Sequence, residues 1–275
     1  MGDIQLTFWG TRGSLPCSGP QYTRYGGNTC CVELRHDGQT VIFDGGSGIR
    51  GLGEKLSVDL PDRLDILISH YHFDHICGLP FFAPFFHKNC EITLWAGHNT
   101  EIYDVSTMLD GFMKPPFFPI TPEMFTATIG FENFRAGDNI ELPSGTPIAT
   151  SPLLHPQGAT GYRTQIGDKV ICYVTDTEMG PDGGPTEDML KLAKDADLMI
   201  IDAMFTDQQL GNCQGWGHSS WRQDVAFADA ANVKTLCLFH HHPLHDDNSM
   251  DVIAARVAEA RPGSIVAQEG QTITL

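Results

Sequence analysis

Three histidines and an aspartate fall within six residues in the stretch His70-Tyr-His72-Phe-Asp74-His75. Imidazoles and carboxylates packed this densely are metal donors. In an extended chain alternate side chains share a face, so His70 and His72 can serve one ion, while the turn that follows re-aims Asp74 and His75 toward a second. The cluster comes just after Leu64 to Ile68, a run apolar but for Asp65, which reads as a buried strand ending in a turn. One segment can therefore feed two cations.

Further polar residues stand where other apolar strand patterns stop. Pro147 to Leu153 ends near His155, Lys169 to Val174 delivers Asp176, Leu198 to Ile201 leads to Asp202, and Thr235 to Phe239 runs into His240. A site with two ions needs about three protein donors per ion and an open position for water. His155, Asp176 and His240 complete such a set. His241 and His242 compete with His240, which is preferred because it directly follows the strand. Asp44, in an Asp44-Gly-Gly turn, reads as a turn or orienting residue. Arg12, Asn28, Thr29 and Arg163 are candidates for phosphate contact or for loop packing, and His36, His87, His98 and His245 for surface or packing positions.

The elements that position these residues alternate. Strand patterns at Ile4 to Trp9, Cys30 to Arg35 and Thr40 to Phe43 include a hairpin across Asp37-Gly38, and a helix follows to Leu56. Glu91 to Trp95 reads as a strand, Asn99 to Leu109 as a helix, and the Phe- and Pro-rich 111–122 as a loop. Strands are expected at Phe125 to Phe131 and Ile140 to Leu142, with a hairpin across Gly167-Asp168. Helices are expected at Pro185 to Ala193, from Ser219 or Ser220 to Ala231, and from Ser249 to Ala260, with a last strand near Ile265 to Ala267. The aromatic segments Phe81 to Phe86 and Phe117 to Phe118 read as core or dimer contact. The 275 residues show no linker or repeat, and one domain over 1–275 is expected.

The formal net charge of −17 disfavours a long nucleic acid as partner, because phosphate binding relies on Lys and Arg. Eight cysteines without a C-x-x-C pair read as free thiols. With neither a leader-like start nor a membrane-spanning apolar run, a cytoplasmic protein with no membrane partner is expected. The Gly-rich Asp44-Gly-Gly-Ser-Gly48 turn lacks the pattern of a nucleotide cradle.

The motif His70-Tyr-His-Phe-Asp-His75, with His155, Asp176 and His240 following in order, resembles the metallo-β-lactamase superfamily. Phe8-Trp-Gly-Thr-Arg-Gly-Ser14, Gly27-Asn-Thr29, Gly161-Tyr162, Gly217-His-Ser219 and Leu238-Phe-His240 resemble its phosphodiesterase branch, which contains ribonuclease Z and cyclic-nucleotide phosphodiesterase-like proteins. The resemblance implies an α/β fold, a four-layer αββα sandwich with two similar halves. It also implies that His70, His72 and His155 hold one divalent ion and Asp74, His75 and His240 another, with Asp176 between them. Zinc is the first expectation, with manganese or iron as alternatives. His218 is implied as proton donor and Asp202 as its neighbour, so His218, Asp74 and Asp202 are the catalytic candidates.

The chemistry expected is hydrolysis of a small phosphodiester, a cyclic nucleotide first, through a hydroxide held between the ions. The rivals are tRNA 3′-end processing and hydrolysis of small esters or lactones. A homodimer is expected from the same resemblance. A Glu at the position of His72, a Gly-His-Thr around the third ligand, or a Cys in place of Asp176 would point to flavodiiron, thiolesterase or β-lactamase chemistry, and none is present.

Overall fold

The computed structural model describes residues 2–98 and 102–275. Six strands come first: β1 (Gln5–Gly10), β2 (Cys31–His36), β3 (Gln39–Phe43), β4 (Arg63–Ile68), β5 (Glu91–Ala96) and β6 (Thr128–Asn133). Seven more follow: β7 (Asn139–Glu141), β8 (Pro147–Leu153), β9 (Ala159–Ile166), β10 (Lys169–Val174), β11 (Leu198–Asp202), β12 (Thr235–Phe239) and β13 (Ile265–Val266). The terminal β14 (Thr272–Thr274) returns to the first sheet, pairing antiparallel with β1 through Leu6 and Ile273. The result is two seven-stranded sheets, ordered β14-β1-β2-β3-β4-β5-β6 and β13-β12-β11-β10-β9-β8-β7.

Side-chain alternation sorts each strand between two cores. From β4, Leu67 points between the sheets while Leu64, Ile66 and Ile68 face outward under helices. From β11, Leu198 and Ile200 point inward while Met199 and Ile201 face the other helical layer. The inner core joins Phe8 and Phe43 of the first sheet to Tyr162, Tyr173 and Phe239 of the second, with Phe43 stacked on Tyr173 at 5.0 Å. Helices α1 (Ile49–Leu56), α2 (Phe73–Ile76) and α3 (Val105–Phe112) lie on the first sheet's side. Helices α4 (Glu187–Ala193), α5 (Asp207–Leu210), α6 (Trp221–Ala230) and α7 (Asp247–Ala260) follow in the second half, with α4, α6 and α7 covering the second sheet. This is the expected four-layer sandwich.

Local chemistry explains the boundaries. Asp37 and Gly38 both take positive φ (46° and 80°) in the β2–β3 turn, as a two-residue hairpin requires. Ser220 starts α6 with a capping box closed by Gln223, so the later of the two expected caps is used. The helix expected from Asn99 starts instead at Val105, because the Asp104 carboxylate accepts the Thr107 amide and caps it there, and it runs on through Gly111 to Phe112. Residues 99–101 of that expectation lie outside the described residues. The aromatic segments split: Phe82 and Phe85 are core, whereas Phe81, Phe86 and Phe117 are exposed. Among the described residues no helix is long and apolar enough to cross a membrane.

Candidate metal centre

Strands that stop at one edge of the sandwich bring the singled-out side chains together. Asp44 follows β3, His70 follows β4, His155 follows β8, Asp176 follows β10, Asp202 ends β11 and His240 follows β12. Asp44, Asp176 and His240 all turn into the left-handed region, with φ of 60°, 60° and 55°. Such backbone costs about 1–3 kcal/mol for a non-glycine residue and persists where the surroundings over-determine it. Ser14 (φ 62°) and Gln157 (φ 64°), which both hydrogen-bond to residues of the cluster, share the conformation.

Seven side chains converge in two overlapping groups. His70, His72 and His155 form one, with His155 Nε2 2.9 Å from His72 Nδ1. In the other, Asp74 Oδ2 lies 3.3 Å from His75 Nε2 and 3.0 Å from His240 Nε2, and those two nitrogens are 3.4 Å apart. Asp176 stands between the groups. Its Oδ2 is 3.6 Å from His70 Nε2, 3.8 Å from His155 Nε2 and 3.4 Å from His75 Nε2, while its Oδ1 is 3.2 Å from His240 Nε2.

The far side of four of the five imidazoles, all but that of His240, is held so that a nitrogen faces inward, the arrangement that orients metal-ligating histidines. His75 Nδ1–H donates to Asp44 Oδ2 at 2.8 Å, and His155 Nδ1–H donates to the Gly217 carbonyl at 2.8 Å. His72 Nε2–H donates to Gln157 Oε1 at 2.9 Å, and His70 Nδ1 meets Ser69 Oγ at 3.1 Å. His70 Nε2 is buried and has no hydrogen-bond partner. A buried, unpartnered nitrogen costs free energy unless a cation takes it. A set of five imidazoles and two carboxylates fits a borderline divalent ion.

Electrostatics within the cluster point the same way. For Asp176 burial disfavours charge, yet His240 and His75 outweigh it and hold the carboxyl well below the usual range. Asp74 behaves alike, with His75 and His240 overcoming its burial. Burial, with His75 adding to it, pushes the His70 imidazole well below its ordinary value. The centre keeps its carboxylates ionised and His70 neutral, the forms that bind cations, whereas His75 and His240, despite burial, are held well above the ordinary imidazole value by neighbours that include Asp74 and Asp176, so a bound cation would take the place of their protons.

Glycines clear the space. A Cβ on Gly13 would collide with the His240 ring, and one on Gly217, at φ 85°, would collide with that of His155. The Gly13-Ser14 loop also donates the Ser14 amide to Asp74 Oδ2 at 2.6 Å.

His218 sits at the edge of the cluster. Its ring is 5.1 Å from those of both His155 and His240, and Nδ1–H donates to Asp202 Oδ2 at 2.8 Å. Beneath Asp202, Ser219 Oγ bridges to Asp224, 2.7 Å from Oδ1. Asp224 is fully buried, and burial together with the neighbouring Asp202 charge drives its pKa well above the usual carboxyl value.

Other candidates go to packing. Arg12 is buried and donates to the carbonyls of Gly26, His242 and His245, and Arg163 donates to those of Leu192 and Lys194. Asn28 contacts Glu269, and Thr29 contacts Ser47. His241 turns away to donate to the Ala267 carbonyl. Sequence reasoning missed Gln157, Ser69, Tyr173 and Cys30, none of which stands out by spacing. His98 is buried against Tyr71, 4.1 Å between ring centroids, rather than on the surface.

The family model for the Beta-lactamase superfamily domain matches residues 39–241, which contain every residue of both donor groups. The chain belongs to that family. Members of the superfamily bind divalent metal ions, and this chain is a metal-dependent hydrolase of the phosphodiesterase-like kind. It is 24% identical to a protein named ribonuclease Z from Methanosarcina acetivorans, the match covering 89% of this chain and 90% of the relative. A protein of the same name from Picrophilus torridus is 27% identical, with 89% and 87% covered. Solved structures share the fold: the metallo-beta-lactamase fold protein YhfI from Bacillus subtilis at TM-score 0.73 and 17% identity, covering 100% of both chains. A diphosphatase from the PhnP family superposes at TM-score 0.72 and 19% identity, covering 98% of this chain and 97% of the other. Human tRNase Z, short form, does so at TM-score 0.66 and 20% identity, covering 98% of each.

Proposed function

We propose that this superfamily member is a di-metal phosphodiesterase that hydrolyses a small phosphodiester, a cyclic nucleotide being the first candidate. The observation that carries the reading is the position of Asp176, whose Oδ2 lies within 3.8 Å of His70, His155 and His75 and whose Oδ1 lies 3.2 Å from His240, so that one carboxylate meets donors of both groups. In this reading His70, His72 and His155 would hold one ion and Asp74, His75 and His240 the second, with Asp176 available to both. Two divalent ions bound there, zinc first with manganese or iron as alternatives, would supply an activated water and neutralise phosphate oxygens.

The chain's own residues do the rest. Asp202 accepts the Nδ1–H hydrogen bond of His218 and so favours its imidazolium form, whose Nε2–H gives its proton to the departing oxygen and leaves the neutral ring. Asp44, Gln157 and the Gly217 carbonyl orient the donor imidazoles. Exposed Phe73 beside His72, Leu154 beside His155 and Trp216 before Gly217 offer apolar surface near the cluster, which suits a nucleobase better than a string of phosphates.

The second reading is tRNA 3′-end processing, favoured by the relatives named ribonuclease Z. The net charge of −17 weighs against it, as does the scarcity of cations in 81–150, where Lys88, Lys114 and Arg135 are the only Lys or Arg. Small esters or lactones are a third substrate class open to the same centre. The reading takes residues 1–275 as one domain, since the inner core draws on both sheets, and places it in the cytoplasm, where eight free thiols stay reduced. A homodimer is part of the proposal, with exposed Phe81, Phe86 and Phe117 as apolar surface for it.

A panel of cyclic mononucleotides, linear dinucleotides, a neutral ester and precursor tRNA tests the proposal, with His72→Ala as the control that removes a donor. Cleavage of a small phosphodiester by the native protein, lost in the control, is expected. Efficient, salt-sensitive cleavage of tRNA with inert small phosphodiesters would overturn it.

A further inference from the structure

Cys30 precedes β2 and its thiol is fully buried. It occupies a loop whose backbone is fixed by the Gly46 amide, which donates to the Cys30 carbonyl at 2.9 Å. Its Sγ joins Asp74, His75 and His240 in a group of four buried donors whose atoms all lie within 4.8 Å of one another. Among the described residues it is the one cysteine brought into a His/Asp cluster of this kind.

The other three donors already stand 3.0 to 3.4 Å apart. A tetrahedral ion with a metal–sulfur distance of about 2.3 Å and metal–nitrogen distances of about 2.0–2.1 Å keeps such donors about 3.5 Å apart. Only the sulfur would need to move, and by roughly 1.3 Å at most, to close a group that spans no more than 4.8 Å. The thiol's present partner is weak, the Arg12 carbonyl at 3.4 Å. The His240 imidazole beside it is fully buried and its Nδ1 has no hydrogen-bond partner.

The geometry points to Cys30 Sγ as a further protein donor to the ion that Asp74, His75 and His240 would hold beside the shared Asp176, giving that half of the centre a preference for a thiophilic divalent cation over a hard one. The inference rests on the two-ion reading of the centre and not on the substrate. Coordination replaces the S–H bond with a metal–sulfur bond and releases the thiol proton to solvent. Zn²⁺ and Co²⁺ are then held more tightly than Mn²⁺, because thiolate is a soft donor.

The test is a Co²⁺ titration of chelator-stripped full-length protein, native against Cys30→Ser, with circular dichroism to establish that both are folded and Cys30→Ala as a second variant. Two readouts are followed besides catalysis: sulfur-to-cobalt charge-transfer absorption in the near ultraviolet, and protons released per chain. The native protein should show the absorption at two ions per chain and release about one proton more than Cys30→Ser. The variant should lose the absorption and bind the thiolate-side ion about tenfold or more weakly. Identical spectra and proton release in native protein and both variants would overturn the assignment. If the absorption and extra proton appear but no phosphodiester is cleaved, the substrate reading fails while Cys30 stands as a donor. If cleavage appears without them, the reverse holds.

Discussion

Asp44 is the residue on which the orientation of His75 depends, and Asp44→Asn isolates its charge. The carboxylate is fully buried and accepts four hydrogen bonds: the Ser69 amide at 2.7 Å, and Ser69 Oγ, Tyr173 Oη and His75 Nδ1 at 2.8 Å each. Asparagine tolerates the left-handed backbone at this position, so the substitution leaves the turn unstrained. It keeps one acceptor but presents an NH₂ group to the donors on the other side. The two hydroxyls can rotate to accept; His75 Nδ1–H cannot. The imidazole must lose that bond or switch tautomer, placing a proton on the nitrogen that faces Asp74 and Asp176. A charge-assisted bond contributes about 1.5–3 kcal/mol and a mismatched buried donor costs about as much again. We expect metal-free Asp44→Asn to be less stable by about 3 kcal/mol, a fall in melting temperature of roughly 6–12 °C at the slope usual for chains of this size. Metal affinity, read by competition with a chromophoric chelator, should fall about 10- to 100-fold. A variant within about 1 kcal/mol of the native protein, with unchanged affinity, would mean that Asp44 merely fills the turn and that His75 is oriented by something else.

Three further expectations follow from the same cluster. His218→Ala should slow turnover about 10²- to 10⁴-fold while metal content stays at the native value; equal loss of metal would make His218 a ligand rather than an acid. Asp224, whose pKa is raised by burial and by Asp202, binds its proton more tightly folded than unfolded. Its presence therefore lowers stability as pH rises above the unfolded carboxyl value of about 3.9 toward the folded one. Asp224→Asn should accordingly gain on the native protein between pH 4 and 7 in urea unfolding, and a variant that loses ground over that range would contradict a neutral carboxyl. Buried His241 and His98 have their pKa lowered to about 3, chiefly by burial. Here the unfolded chain binds more protons, so both should destabilise the metal-free protein as pH drops from about 6.5 toward that value; a urea midpoint equally acid-sensitive in His241→Gln would remove His241 from that explanation.

Much of this was legible along the chain because the donors sit at the ends of short apolar runs. The runs before His70, Asp176 and His240 are β4, β10 and β12, and the match of Lys169–Val174 and Thr235–Phe239 to their strands reflects burial on both faces. Contacts between distant segments were not legible. Asp44 meets Tyr173 only because the sheets face each other, and β14 completes the first sheet by pairing with β1 at the other end of the chain. The choice of His240 over its two neighbours follows from its left-handed φ, which swings it into the cluster and leaves His241 on the Ala267 carbonyl. Cys30 had no spacing to betray it, since its three partners come from α2 and the end of β12.

The central claim is that two ions act together on a small phosphodiester. Stepwise addition of Zn²⁺ to the chelator-stripped protein, with bound metal counted at each step and cyclic-mononucleotide hydrolysis followed alongside, tests it most directly. Turnover should stay low until the second ion binds and then level off at two per chain. Full activity at one ion per chain, or two bound ions with no cleavage of any small phosphodiester, would contradict it.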